Sequence, residues 1–234
     1  MMRARGAERH DRETGFTLVE LMVVVGIIGV MAAFATPLFA QFFGDLRLKA
    51  AARDAADAFR IARIDAIRTG QRHVVFFSAA IATDPPATDP AGTPLPIDPA
   101  TGAPVPIVIV RDDNDNCRID PGEAQRPVFA KQGVAWGSSV SASDPDGPDD
   151  DLGAADHSTG SSFQSPTGGT TTWVLFGPDG VPLGFDAACN VGALGSGAGG
   201  LYFGNGRRDY AVVLSPLGSV RVHNWIEGAD QWSN

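Results

Sequence analysis

One carboxylate, Glu20, stands inside an otherwise uncharged run from Phe16 to Gly44. In hydrocarbon an acid at a helix centre costs about 2.5–3.5 kcal/mol on insertion scales, so an acid kept near the start of an apolar run calls for a nearby cation. A second chemical candidate is the oxygen-rich stretch that begins at Asp112. Asp112, Asn114, Asn116, Arg118 through its backbone carbonyl, Asp120 and Glu123 fall at the ligand positions of an EF-hand-type calcium loop. Cys117 stands where such a loop uses glycine for its sharp turn, and no helix pair flanks it, so a solvated hairpin turn is the other reading. There are two cysteines, Cys117 and Cys189. Outside the cytoplasm they can form a disulfide, and the alternative is two free thiols. Nothing else is spaced for catalysis. Residues 195–200 match the dinucleotide spacing G-x-G-x-x-G, but no strand leads into them and no helix follows. His10, His73, His157 and His223 have no metal-ligand spacing, and there is no nucleophile elbow or P-loop lysine. The chain reads as a non-enzyme without a cofactor, calcium aside.

The string Gly15-Phe16-Thr17-Leu18-Val19-Glu20 resembles the processing site of type IV pilins and type II secretion pseudopilins. The resemblance implies that a prepilin peptidase cuts after Gly15 and that the new N-terminal Phe16 is methylated. It further implies that Glu20 pairs with the amino group of Phe16 on a neighbouring subunit. Implied partners are other pilins or pseudopilins, the peptidase and an inner-membrane assembly platform. Three later stretches, residues 111–123, 176–180 and 214–222, resemble the GspH/FimT group of minor pseudopilins. That group implies a minor subunit of a secretion pseudopilus or a pilus. FimT-like minor pilins that bind DNA for uptake carry a C-terminal Gly-Arg-x-Arg motif. Here the matching positions read Gly218-Ser219-Val220-Arg221, with Arg207 and Arg208 as possible substitutes for the missing arginine. The formal net charge of −9 argues against nucleic acid, because phosphate contacts need Lys and Arg.

These residues need elements to carry them. Residues 1–15 form a slightly basic leader, with Arg3, Arg5, Arg9 and Arg12 against Glu8, Asp11 and Glu13, and a basic flank stays cytoplasmic. Residues 16–40 are long enough to span a bilayer as the membrane and filament-core helix. Pro37 lies within it and is expected to kink it. Residues 41–70 continue as an amphipathic half. Leu48, Ala52, Ala55, Phe59, Ala62 and Ala66 recur at steps of three and four and face a sheet, while Ile61 and Ile64 fall on the other side. Gly70 stops the helix.

Residues 71–226 read as a periplasmic antiparallel β domain behind a single membrane pass. Strands are expected at 73–77, 107–110, 128–136 with a break near Gln132-Gly133, 172–176 and 181–185, followed by a hairpin of 210–214 with 220–225. Residues 83–106 are proline-studded and read as an exposed loop. Residues 138–170 are rich in Asp, Ser and Gly and read as a mobile acidic loop. Residues 186–200 read as a Gly/Ala loop, and the tail 227–234 is expected to fray. The expected fold class is α+β, with a long N-terminal helix packed on an antiparallel sheet. Its pilin-like character rests on the resemblance.

Overall fold

The computed structural model describes residues 16–78, 88–140, 160–226 and 231–233, with only the backbone of Pro37 described. The leader 1–15 lies outside them. So do 79–87 of the proline-rich loop, 141–159 of the acidic loop, and 227–230 and 234 of the tail.

Helix α1, Leu18–Thr69, is 52 residues long. The sequence places its ends well. Thr17 Oγ1 accepts the Glu20 N–H at 3.2 Å, which makes Thr17 the N-cap. At the other end Gly70 adopts φ +68° and its N–H donates to the Ala66 carbonyl at 2.9 Å, a left-handed glycine stop. Helical backbone continues through Pro37, where the Ala33 carbonyl loses its donor. One residue before, the Thr36 hydroxyl donates to the Ala32 carbonyl at 2.8 Å.

The chain divides into two compact units at Phe42/Phe43. In the first, the apolar side chains of α1 are exposed along its length. Phe16, Leu18, Val19, Met22, Val25, Ile28, Val30, Met31 and Phe34 all expose more than half of their surface. Among the described residues α1 is the one helix long and apolar enough to cross a membrane.

The second unit starts with the rest of α1. Leu48, Ala52, Ala55, Phe59, Ala62 and Ala66 are all buried, as their spacing requires, and Ala56 and Ala58 widen the stripe. The strands make two antiparallel sheets rather than one. The first contains β1 (Arg72–Phe77), β2 (Ile107–Asp112), β3 (Gln125–Val128), β5 (Trp173–Phe176) and β6 (Pro182–Leu183), in the order β3-β2-β1-β5-β6. The second contains β4 (Ala135–Trp136), β7 (Gly199–Gly204), β8 (Asp209–Leu214), β9 (Val220–Ile226) and β10 (Gln231–Trp232), in the order β10-β9-β8-β7-β4. Both sheets turn a face to the helix. Val75, Phe77, Ile107, Ile109, Val174 and Phe176 from one, and Leu201, Phe203, Val212 and Leu214 from the other, share a single core with the alanine stripe. The alanines present a low-volume face against which the large side chains of both sheets pack. Phe59 fills the middle, with ring centroids 5.7 Å from Phe163, 6.4 Å from Phe77 and 6.5 Å from Phe176.

Several expectations are corrected. The stretch 128–136 is not one interrupted strand: β3 begins at Gln125 in the first sheet, β4 belongs to the second, and Gly133 at φ +75° turns the chain between them. Residues 186–200 are not all loop, because Gly199 and Gly200 open β7, a fully buried inner strand. The tail does not simply fray: Gln231 and Trp232 pair with Ile226 and Trp225, and Trp232 packs against Tyr202 and Trp225. The described part of the proline-rich loop is not fully exposed, since Leu95 and Val105 are 1% exposed and Asp89 is buried. Of the acidic loop, residues 160–170 are anchored: Phe163 is in the main core and Ser161 bridges to Leu201. Ile61 is half-buried against the core, whereas Ile64 is exposed.

Candidate functional site

The chemistry-bearing stretch of the first unit is the start of α1. Phe16 and Glu20 are exposed, and Gly15 lies outside the described residues. Glu20 sits in the first turn, three residues after its cap. Thr-x-x-Glu is the capping-box spacing, in which an acid near the helix N-terminus also complements the helix dipole. Glu20 therefore has a local role that sequence reasoning overlooked. The signal was present in Thr17 and Glu20 themselves. An acid here is not unaccountable in a plain anchor, but at the tip of an exposed apolar rod it is also well placed to receive a cation from outside.

The model of the family described as the prokaryotic N-terminal methylation motif matches residues 11–36. The chain is 58% identical over 33 residues to the type IV major pilin protein PilA of Myxococcus xanthus (strain DK1622), covering 14% of this chain and 15% of that one. It is 37% identical over 59 residues to the type IV major fimbrial protein FimA of Dichelobacter nodosus (strain VCS1703A), covering 25% of this chain and 36% of the relative. The chain is type IV pilin-like in its N-terminal segment. It spans only about a sixth to a third of the length of these relatives, and no solved structure matches it. The matched segment, 11–36, holds Gly15, Phe16 and Glu20, Pro37 follows it directly, and the remaining candidate residues belong to the second unit.

In the second unit the Asp112 turn brings its six candidate positions into one loop, where the Asp, Asn and Glu side chains bond to one another and to the loop's own N–H groups. The Asp112 carboxylate is buried and accepts the Asn116 and Cys117 N–H groups, each at 3.0 Å. The Asn114 and Asn116 amides both donate to Asp120 Oδ2 at 2.7 Å, which holds the Asp120 carboxyl below the usual carboxylate range. Glu123 accepts the Asp113 and Asp120 N–H groups at 3.1 Å, yet burial pushes its carboxyl up. Arg118 donates its N–H to Asn116 Oδ1 at 2.9 Å. Cys117 makes the sharp turn without being glycine, at φ +59°. Among the described residues, no group of three or more His, Cys, Asp or Glu is placed to hold a metal ion. The hydrogen bonds are those of a self-closed turn.

Cys117 and Cys189 are joined in a disulfide, with Cα atoms 5.6 Å apart and 72 residues between them in sequence. The three arginines considered for nucleic acid are not brought together. Arg207 and Arg208 precede β8, while Arg221 pairs with Val213 near its far end, a separation of roughly 15–20 Å along the strand. Both members of the first pair turn to Asp45, with Arg208 at 3.1 Å and Arg207 at 4.0 Å.

One convergence was not foreseen. Arg63 Nη1 donates to the Gly218 carbonyl at 2.9 Å, and Arg60 reaches the Val220 carbonyl at 3.4 Å. Gly180 and Gly218, both at positive φ, lie against Arg63, and a Cβ on Gly218 would come 3.1 Å from the Gly180 carbonyl oxygen. The β5–β6 and β8–β9 turns therefore meet on one helix side chain, tying α1 to both sheets.

Proposed function

We propose that this chain is a minor structural subunit of a type IV pilus or type II secretion pseudopilus, of the GspH/FimT kind. In this reading a prepilin peptidase removes residues 1–15 and Phe16 is methylated. The apolar half of α1 anchors the subunit in the bacterial inner membrane by a single pass, with residues 71–226 in the periplasm. An assembly platform then transfers the helix from lipid to a bundle of neighbouring helices. Glu20 meets the Phe16 amine of another subunit, so a charge that is costly in hydrocarbon leaves it as half of a pair. The observation that carries the reading is the methylation motif running directly into an exposed apolar helix whose one acid lies in the first turn. An exposed apolar surface of this extent fits only lipid or other helices.

Minor rank rests on the resemblance and on the bulk of residues 83–106 and 138–170. The curated relatives are named as major subunits, but they share only a small part of this chain. Quantitative mass spectrometry of sheared, purified filaments tests the reading. This chain is expected far below the major subunit in copy number. Absence from filaments removes the structural role, and equal abundance removes minor rank.

A further inference from the structure

Among the described residues, no helix lies over the face of the first sheet that points away from α1. Three irregular segments cover it instead: residues 88–106, 113–123 and 184–192. They contribute Leu95, Val105, Cys117, Ile119 and Phe185 to a second core with Val74, Phe76, Val108, Val110 and Leu175. Each segment is closed mainly by its own short-range bonds. Val105 N–H donates to the Pro96 carbonyl and Gly192 N–H to the Gly184 carbonyl, both at 2.8 Å. Among the described residues, ties between segments are few, and the Cys189 Sγ contact with the Asp115 carbonyl at 3.5 Å accompanies the disulfide. The Ile119 N–H donates to Asp89 Oδ2 at 2.9 Å, joining the first segment to the second. The Cys117–Cys189 disulfide joins the second to the third. Both cysteines hold left-handed backbone, at φ +59° and +62°, a conformation that non-glycine residues keep only when their surroundings over-determine it.

We propose that this cover is a redox-gated unit, in which the Cys117–Cys189 bond latches all three segments over the outer face of the first sheet. Opening is a two-electron step. A dithiol attacks the Sγ–Sγ bond, both sulfurs leave as thiols carrying the dithiol's protons, and the dithiol closes to its own disulfide. Closing is the reverse, with a disulfide-bearing thiol oxidant accepting the two electrons. Once the latch is cut, Cys117 and Cys189 can leave their left-handed conformations, and the Asp89–Ile119 bond loses the loop geometry that presents its donor. The core on the helix side depends on neither cysteine, because it rests on ladder pairing and on the alanine and Phe59 packing of α1. The oxidised chain hides the outer sheet face, and the reduced chain exposes it with the rest of the fold in place. This holds whether or not the chain enters a filament.

Amide hydrogen exchange on the full chain in detergent micelles, with and without dithiothreitol, tests the latch. On reduction, the Val105, Ile119 and Gly192 amides should exchange roughly tenfold faster or more, as in local opening. Phe77, whose N–H donates to the Thr172 carbonyl, and Val212 on β8 should hold their rates. The Cys117→Ala/Cys189→Ala variant should show the opened pattern without reductant. Unchanged protection at Ile119 and Gly192 after reduction overturns the proposal. So does simultaneous loss of protection at all five amides, which would make the disulfide a global staple and not a latch.

Discussion

The two halves of α1 are built from one continuous helix and behave as opposites. Up to Phe42 the helix shows large apolar side chains on every side and buries none of them within the chain. Beyond Phe43 a stripe made mostly of alanines, with Leu48 and Phe59, is buried in a core shared by two sheets, and Leu46, Ile64 and Ile67 stay exposed off it. Helical propensity does not account for the contrast: the first half, rich in Val, Ile and Gly, is intrinsically the poorer helix former, yet both halves are helical. The difference is where the apolar surface finds its partner. The second half finds it within its own chain. The first must find it in lipid or in other copies, which is the requirement of a subunit that folds alone and assembles afterwards.

This contrast can be broken experimentally. Phe59→Ala empties the centre of the shared core and should cost about 3–5 kcal/mol, read as a lower melting temperature by near-ultraviolet circular dichroism. Phe34→Ala, at 73% exposure, should leave that temperature in place. Equal losses from both would erase the distinction. Glu20→Leu should act in the opposite sense. On the proposed pairing, leaving the neighbour's amine without its acid should cost about 3–5 kcal/mol by analogy with breaking a buried pair, enough to cut filament incorporation more than tenfold. Melting of the second unit should not move, and normal incorporation of the variant would remove Glu20 from assembly.

Smaller effects sharpen how the packed half is held. Gly218→Ala places a side chain at φ +80° against Arg63 and the Gly180 carbonyl, and should destabilise by about 1–3 kcal/mol in a thermal melt. No loss would show that the hairpin turn can move off the helix. The smallest effect expected is that of calcium. The Asp112 turn closes through its own amides and carboxylates, so millimolar calcium should leave the melting temperature unchanged. A rise of several degrees would mean that those groups rearrange around the ion.

Legibility in the sequence followed the range of the interactions. The helix, its buried stripe and its glycine stop follow from periodicity and local turn chemistry. Strands β1, β2, β5, β8 and β9 are β-branched or aromatic runs that announce themselves. Strand β7 does not, because it opens with Gly199 and Gly200. The reason is non-local: a Cβ on Gly199 would lie 2.9 Å from Phe163 Cα, so the strand needs glycine where another segment crosses it. The second core was equally hidden. Of its ties, the Cys117–Cys189 disulfide was one of two readings of the cysteine pair, but the Asp89 to Ile119 bond joins residues 30 apart and leaves no periodic trace. At the candidate site the acid was conspicuous for its charge, and its spacing of three from Thr17, equally present in the sequence, was passed over as a capping signal.

Assembly through Phe16 and Glu20 requires that the mature chain begin at Phe16. Mass analysis of the N-terminal peptide from protein extracted from cells should show a chain starting at Phe16 and carrying one added methyl group on its amine. Protein that retains residues 1–15 in assembled material would contradict it.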